Sequence, residues 1–218
     1  MATRPSRITR TRIIKAAARI FAEHGYEGAS IRNIVAKADV NQAAINYHFG
    51  SKEGLYRAVL GDALQALLEA DEASPAPEAL PREAALRAFI RRQLRPMLGR
   101  DERSQYLRIF NWETVRPSPA FRKFMAEEAA PYIGAAATLV RRFLPPQANE
   151  KQAVLGALWL FGQCSIFVRN CEQLAQPPLA FKLDQAFVDA LAETIAAWAA
   201  GGLLAEAGSG SSLAEEHR

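Results

Sequence analysis

Apolar residues in this chain recur at helical intervals almost from end to end, and nowhere do they alternate over the length of a strand. Ile13, Ala17, Ile20, Phe21 and His24 follow one face of a helix, and Gly25 supplies its stop. Ile31, Ile34, Val35 and Ala38 repeat the pattern over a short second helix, with Ser30 in the N-cap position. A third short helix is predicted from about Gln42 to His48 behind Asn41, and Ser51 caps a longer one that begins Lys52-Glu53-Gly54-Leu55 and runs to about Ala70. Ser74-Pro75-Ala76-Pro77 breaks it, and Pro81 fits the first turn of the next helix, over about 82–99. Further helices are predicted over about 103–115, 119–143, 149–172 and 184–204, punctuated by Pro117/Pro119, Pro145/Pro146 and Pro177/Pro178. The last segment, Ala205–Arg218, has Gly-Ser-Gly-Ser-Ser and no periodic core, and is predicted to be a disordered tail.

The pattern therefore makes the chain all-α, with three short helices in an N-terminal domain over 1–57 and about six longer ones in a second domain over 58–204. The helix near 149–172 is apolar on nearly all faces and must be covered on every side, for which a second copy of the chain is the natural partner. Composition keeps it globular: among 218 residues, 50% are hydrophobic and 23% charged. The longest apolar run, Ala153 to Val168, is short for a bilayer span of about 20 residues. The apolar stretch after Arg12 is interrupted by Lys15, Arg19 and Glu23, unlike a signal peptide. A cytoplasmic protein with no membrane partner is expected.

Charge is unevenly placed. Residues 1–60 hold ten Lys and Arg against four acids, whereas the other 158 hold 17 against 19. A basic first quarter on a slightly acidic body points to a polyanion as its partner. Cys164 and Cys171 sit two turns apart in one helical pattern, roughly 10 Å, beyond disulfide reach of about 7 Å. They read as small buried thiols. His24, His48 and His217 are scattered, and no metal site or cofactor is expected.

Residues 30–49 form two short helices joined at Lys37-Ala38-Asp39-Val40, the spacing of a helix-turn-helix whose second helix enters the major groove. Gln42 stands near the start of that helix, where its amide can pair bidentately with adenine, and the methyls of Ala43 and Ala44 can touch thymine methyls. Tyr47 and His48 follow one to two turns later within reach of phosphate oxygens, as does Lys52 at the next helix start. Ser30 and Arg32 open the first helix of the pair and would anchor the opposite strand. Ile34, Val35, Val40, Ile45 and Phe49 make a miniature core.

Arg12-Ile13-Ile14-Lys15-Ala16-Ala17, Phe21-Ala22-Glu23-His24-Gly25-Tyr26, Ser30-Ile31-Arg32-Asn33-Ile34-Val35 and Tyr47-His48-Phe49-Gly50-Ser51-Lys52-Glu53-Gly54-Leu55 together resemble the TetR family of transcriptional regulators, over about residues 9–57. Beyond them the helices match the family in number and length only, and Pro117-Ser118-Pro119-Ala120-Phe121 is similar to one of its branches. The resemblance implies a homodimer on a palindromic double-stranded DNA operator, with a C-terminal helical domain that binds a small-molecule effector and changes the spacing of the two heads. Most such proteins are repressors released by ligand. Where many members carry a phosphate-binding Tyr, this chain has Asn46, which leaves open which of Asn46 and Tyr47 faces the DNA. Asn41 joins them as a candidate contact.

Candidate effector-binding residues are Phe89, Gln93 and Met97 on one helix, Tyr106, Phe110, Trp112 and Glu113 on the next, and Phe121, Phe124, Met125 and Tyr132 on a third. For each aromatic, plain core packing is the competing reading. Gln163, Arg169 and Asn170 are polar on an otherwise apolar helix and need a ligand or a partner across a dimer axis. Candidate dimer residues are Trp159 and Phe167, together with the stripe Phe187, Leu191, Ile195 and Trp198 beside Ala192, Ala196 and Ala199. An architectural DNA binder without effector is the alternative. No Gly-rich phosphate loop or Gly-x-Ser-x-Gly nucleophile supports an enzyme.

Overall fold

The structure, a computed structural model, describes residues 4–68, 79–99, 102–114 and 117–205. The predicted tail after 205 and the break at 74–77 lie outside them. Among the described residues the chain forms eleven α-helices and no strand: α1 (Arg4–Gly28), α2 (Ile31–Ala38), α3 (Gln42–Phe49), α4 (Lys52–Leu68), α5 (Arg82–Leu94), α6 (Glu102–Glu113), α7 (Pro119–Glu127), α8 (Ala130–Arg141), α9 (Glu150–Arg169), α10 (Cys171–Leu174) and α11 (Gln185–Ala205). The all-α architecture is as the periodicity predicts.

Several boundaries differ, each for a local reason. The helix predicted over 119–143 is two helices, because Pro131 has no N–H to continue α7 and instead sits in the first turn of α8. Pro96 likewise ends α5 early and tightens the chain into a 3₁₀ turn over Arg95–Met97. The long apolar helix stops at Arg169, where Asn170 turns out of helical geometry (φ −99°, ψ 16°). Cys164 and Cys171 therefore lie on different helices, both as free thiols, and burial pushes the Cys164 thiol up to about 12. α1 begins earlier than its apolar stripe, at Arg4, and Gly25 (φ 67°) interrupts it where the sequence places its end.

The described residues fall into two compact units, each drawn from two stretches of the chain. The first takes the described residues up to 68 and from 99 to 130, the second those from 79 to 98 and from 131 to 205. In the first, Ile13, Ala17 and Phe21 of α1 are fully buried, as are Tyr56, Val59, Leu60 and Ala63 of α4 and Phe124 of α7. Tyr106, Leu107 and Ile109 of α6 are buried in the same unit, so that α6 and α7 join the N-terminal helices. In the second, Ala153, Ala157, Leu160, Cys164 and Val168 make a buried stripe along α9, packed with Leu86, Phe89, Ile90 and Leu94 of α5 and Val188, Ala192, Ile195 and Ala199 of α11. By length and mean hydropathy (1.3) α9 could cross a membrane. One face of it is spent on this core, while Leu155, Leu158, Trp159 and Ile166 on the other side are exposed.

Candidate nucleic-acid interface

Short-range capping shapes the two motif helices. Ser30 is extended and its Oγ accepts the Asn33 N–H at 3.1 Å, opening α2. Asn41 does the same for α3, its Oδ1 accepting the Ala44 N–H at 3.0 Å. Between them Asp39 takes the left-handed region (φ 50°, ψ 56°), a conformation that Asp tolerates better than most residues. Ile34 and Ile45, both essentially inaccessible, pin α2 to α3 from beneath.

The turn is also latched from outside the motif. Arg12 of α1 donates from Nη2 to the carbonyl oxygens of Ala38 (2.7 Å) and Asp39 (3.1 Å), and meets the Asp39 carboxylate at 3.2 Å. Arg12 opens the family pattern along the chain, but its own neighbourhood in the sequence gives it no role. Its partners lie 26 and 27 positions away, so no local signal announces the latch.

With Ile45 facing inward, α3 presents Gln42, Ala43, Asn46 and Tyr47 to solvent. Tyr47 is 80% exposed, and Asn46 beside it is exposed too, so both candidates for the phosphate contact face outward. Ala44 and His48 are half-buried, the imidazole lying edge-on to the Tyr47 ring at 5.0 Å. Arg32 is exposed on the first turn of α2, whereas Ser30 and Asn41 use their side-chain oxygens as caps. Lys52 stands 4.7 Å above the Tyr26 ring, with its Nζ 3.5 Å from the Glu27 carbonyl oxygen. The outward edge of the first unit thus carries amides, a phenol and cations, the groups that read base edges and hold phosphates.

Behind this edge lies a buried carboxylate. Glu113, at the end of α6, is 3% exposed and accepts three hydrogen bonds: from Tyr56 Oη of α4 at 2.6 Å, from the Ser118 N–H, and from Ser118 Oγ at 2.9 Å. Ser118 Oγ in turn accepts the Phe121 N–H and caps α7. Burial and the bond to Glu113 raise the Tyr56 phenol far above its ordinary value, so it remains a donor. Tyr56 also packs on Phe21 (4.6 Å) and Tyr26 (4.8 Å). Glu113→Ala leaves three donors without their acceptor, and each buried unsatisfied group costs about 1–3 kcal/mol. A marked drop in the melting temperature is expected, with a smaller one for Glu113→Gln, which keeps one acceptor oxygen. Equal melts for Glu113→Ala and the parent chain would refute the role.

The predicted effector residues divide between the units. Phe110, Trp112, Glu113, Phe121, Phe124 and Met125 lie in the first, where Phe110 packs edge-on to Phe121 at 5.8 Å. Trp112 is half exposed and its indole donates to the Ala22 carbonyl at 3.0 Å, capping α1 where Gly25 interrupts it. Phe89, Gln93, Met97, Gln163, Arg169 and Asn170 lie in the second. There the Gln93 amide and the Tyr132 hydroxyl pair at 3.2 Å, and Phe161 stacks on Tyr132 (5.1 Å) and tilts against Phe89 (5.4 Å). Burial pushes the Tyr132 phenol up to about 12. Arg169 and Asn170 are exposed, and the Asn170 amide donates to the Ile166 carbonyl.

The predicted dimer stripe is divided as well. Ile195 is 3% exposed within its own unit's core, and Phe187, Leu191 and Phe167 pack partly against that core. Trp159 and Trp198, 44% and 68% exposed, face outward.

A capped helix pair whose second helix offers Gln, Asn and Tyr from a basic quarter of the chain defines a helix-turn-helix DNA-binding protein. Residues 13–59 match the model for bacterial regulatory proteins of the tetR family, and residues 82–203 match that for the C-terminal domain of the HTH-type transcriptional dual regulator CecR. The chain is 30% identical over 168 residues to CecR of Shigella flexneri, covering 71% of this chain and 73% of that protein. It is 31% identical over 115 residues to the HTH-type transcriptional repressor AcnR of Corynebacterium diphtheriae, 52% of this chain and 53% of that one. Among solved structures, a transcriptional regulator from Rhodococcus sp. Rha1 superposes with a TM-score of 0.63 at 18% identity, covering 88% of this chain and 96% of its own. AibR, solved with isovaleryl coenzyme A and operator DNA, superposes with a TM-score of 0.60 at 20% identity, covering 90% and 98%. The chain belongs to the tetR family of bacterial transcriptional regulators, with a C-terminal domain of the CecR type, and is not an enzyme.

Proposed function

We propose that the protein is a homodimeric repressor that binds a palindromic operator in the cytoplasm and releases it when a small hydrophobic or aromatic effector binds the C-terminal helices. The observation that carries the DNA half of this reading is the outward face of α3, where Gln42, Ala43, Asn46 and Tyr47 are all exposed while Ile45 anchors the helix from below. A second copy is supported by the exposed apolar side of α9 with Trp198 of α11. The effector half is supported by Phe89, Tyr132 and Phe161 gathered around the Gln93–Tyr132 pair, an apolar setting with one polar handle. AibR, of the same fold, was solved with isovaleryl coenzyme A, a ligand of which only the short acyl end is apolar.

The test begins by selecting genomic fragments that the purified protein binds. On the selected sequence Gln42→Ala is expected to cost about 1–3 kcal/mol and to relax the preference at one symmetric base pair. Equal weakening on selected and random DNA would overturn the assignment of Gln42 to a base.

A further inference from the structure

We propose that Arg7 and Arg10, on the first turns of α1, form a second DNA contact that grips backbone phosphates of the duplex read by α3. This deepens the DNA-binding reading above and rests on it.

The buried stripe of α1 runs through Ile13 and Ile14, Ala17, Ile20 and Phe21. Continued toward the N-terminus at the same helical spacing, it reaches Arg10 and then Arg7. The stripe therefore changes from apolar to arginine where the helix runs out past the core beneath it, and both arginines are exposed. Arg10 shows where this overhang lies: its guanidinium is 5.5 Å from the centre of the Phe49 ring, the last residue of α3. A DNA-facing α3 would therefore have Arg10 at its C-terminal end, with Arg7 one turn further along the same face.

Charge supports the same occupant. Arg12, Arg57, Arg82 and Arg91 each meet a carboxylate within their own unit. Among the described residues neither Arg7 nor Arg10 has an ion-pair partner, and two like charges three positions apart repel each other. A phosphodiester strand relieves that repulsion, and the planar guanidinium forks match its oxygens.

The experiment is a salt titration of the full-length protein on a random-sequence duplex and on the selected fragment. For Arg7→Ala/Arg10→Ala we expect weaker binding to both duplexes by the same factor and a salt slope shallower by about 0.9 for each phosphate no longer neutralised. Arg7→Lys/Arg10→Lys is expected to keep most of the slope, and Gln42→Ala to keep all of it while losing preference for the selected fragment. Both arginine variants should still unfold cooperatively and close to the parent's melting temperature, because both side chains are exposed and the one contact removed is that of Arg10 with the Phe49 ring. An unchanged slope in Arg7→Ala/Arg10→Ala, with Gln42→Ala still losing preference, would overturn this contact and leave the role of α3 standing. A lost preference with an unchanged slope would place the arginines on bases and also overturn it. Failure of the parent chain to bind either duplex would remove the underlying reading.

Discussion

Gly54→Ala is expected to destabilise the first unit and abolish operator binding, whereas Gly61→Ala, two turns along the same helix, is expected to stabilise it. A Cβ at Gly54 would stand 2.0 Å from the carbonyl oxygen of Phe49, the last residue of α3. That neighbour is backbone and cannot swing aside, so α4 must retreat or the last turn of α3 must unwind. Forced overpacking of this kind costs about 1–3 kcal/mol or more. Either adjustment displaces Asn46 and Tyr47, so DNA binding should fail even where the helices survive. A Cβ at Gly61 meets nothing within 4 Å, and there the substitution only removes the excess freedom of glycine, a gain of about 0.5–1 kcal/mol. Denaturant unfolding of the two variants should move in opposite directions from the parent. Shifts of the same sign would show that the close approach of α4 to α3 does not decide the choice of glycine.

Trp159→Glu with Trp198→Glu is expected to give a monomer by light scattering and to drop operator affinity toward the non-specific level. Leu155, Leu158, Trp159 and Ile166 are 61%, 47%, 44% and 49% exposed along one side of α9, and Trp198 of α11 is 68% exposed. At about 25 cal/mol for each Å² of apolar surface removed from water, covering such a face is strongly favourable, and large indoles dominate interfaces of this kind. Gly162, with open space around its Cα, lies within the same side of α9 and permits close helix approach. In the proposed dimer, DNA affinity would follow dimerisation because two linked heads raise each other's effective concentration, a gain of roughly 10²–10⁴. Their recognition helices must then lie about 34–36 Å apart to meet successive major grooves. A double variant that remains dimeric and binds normally would place the interface elsewhere.

Much of the candidate DNA-binding edge is legible in the sequence because its signals are local. Ser30, Asn41 and Ser51 read as caps, and each accepts a backbone N–H three residues on, a bond that spacing alone can foresee. The apolar positions Ile34 and Ile45 likewise mark the hidden side of each short helix, which leaves Gln42, Asn46 and Tyr47 for solvent. Pro131 is an equally local signal, and it divides the helix predicted over 119–143. The Arg12 latch and the Tyr56–Glu113 bond are not legible, since their partners are 26 and 57 positions apart and nothing in either neighbourhood marks the other.

The sequence by itself determined that the chain is helical, that its basic quarter carries a capped helix-turn-helix, and that α9 and α11 have more apolar surface than one helix face can hide. Periodicity and capping act within a turn or two of chain, and they carry that information unaided. Tertiary structure decided how the apolar surface is spent. On α11 it turned Ile195 into the core and left Trp198, three positions away, in water. On α9 it buried Ala157 and Leu160 and left Leu158 and Trp159 exposed between them. It also gave Glu113 three donors and a structural use that no helical pattern announces. The reason is physical: hydrophobicity has no direction of its own, so the identity of an apolar residue states that it must be covered, and only the packing of distant segments determines by what.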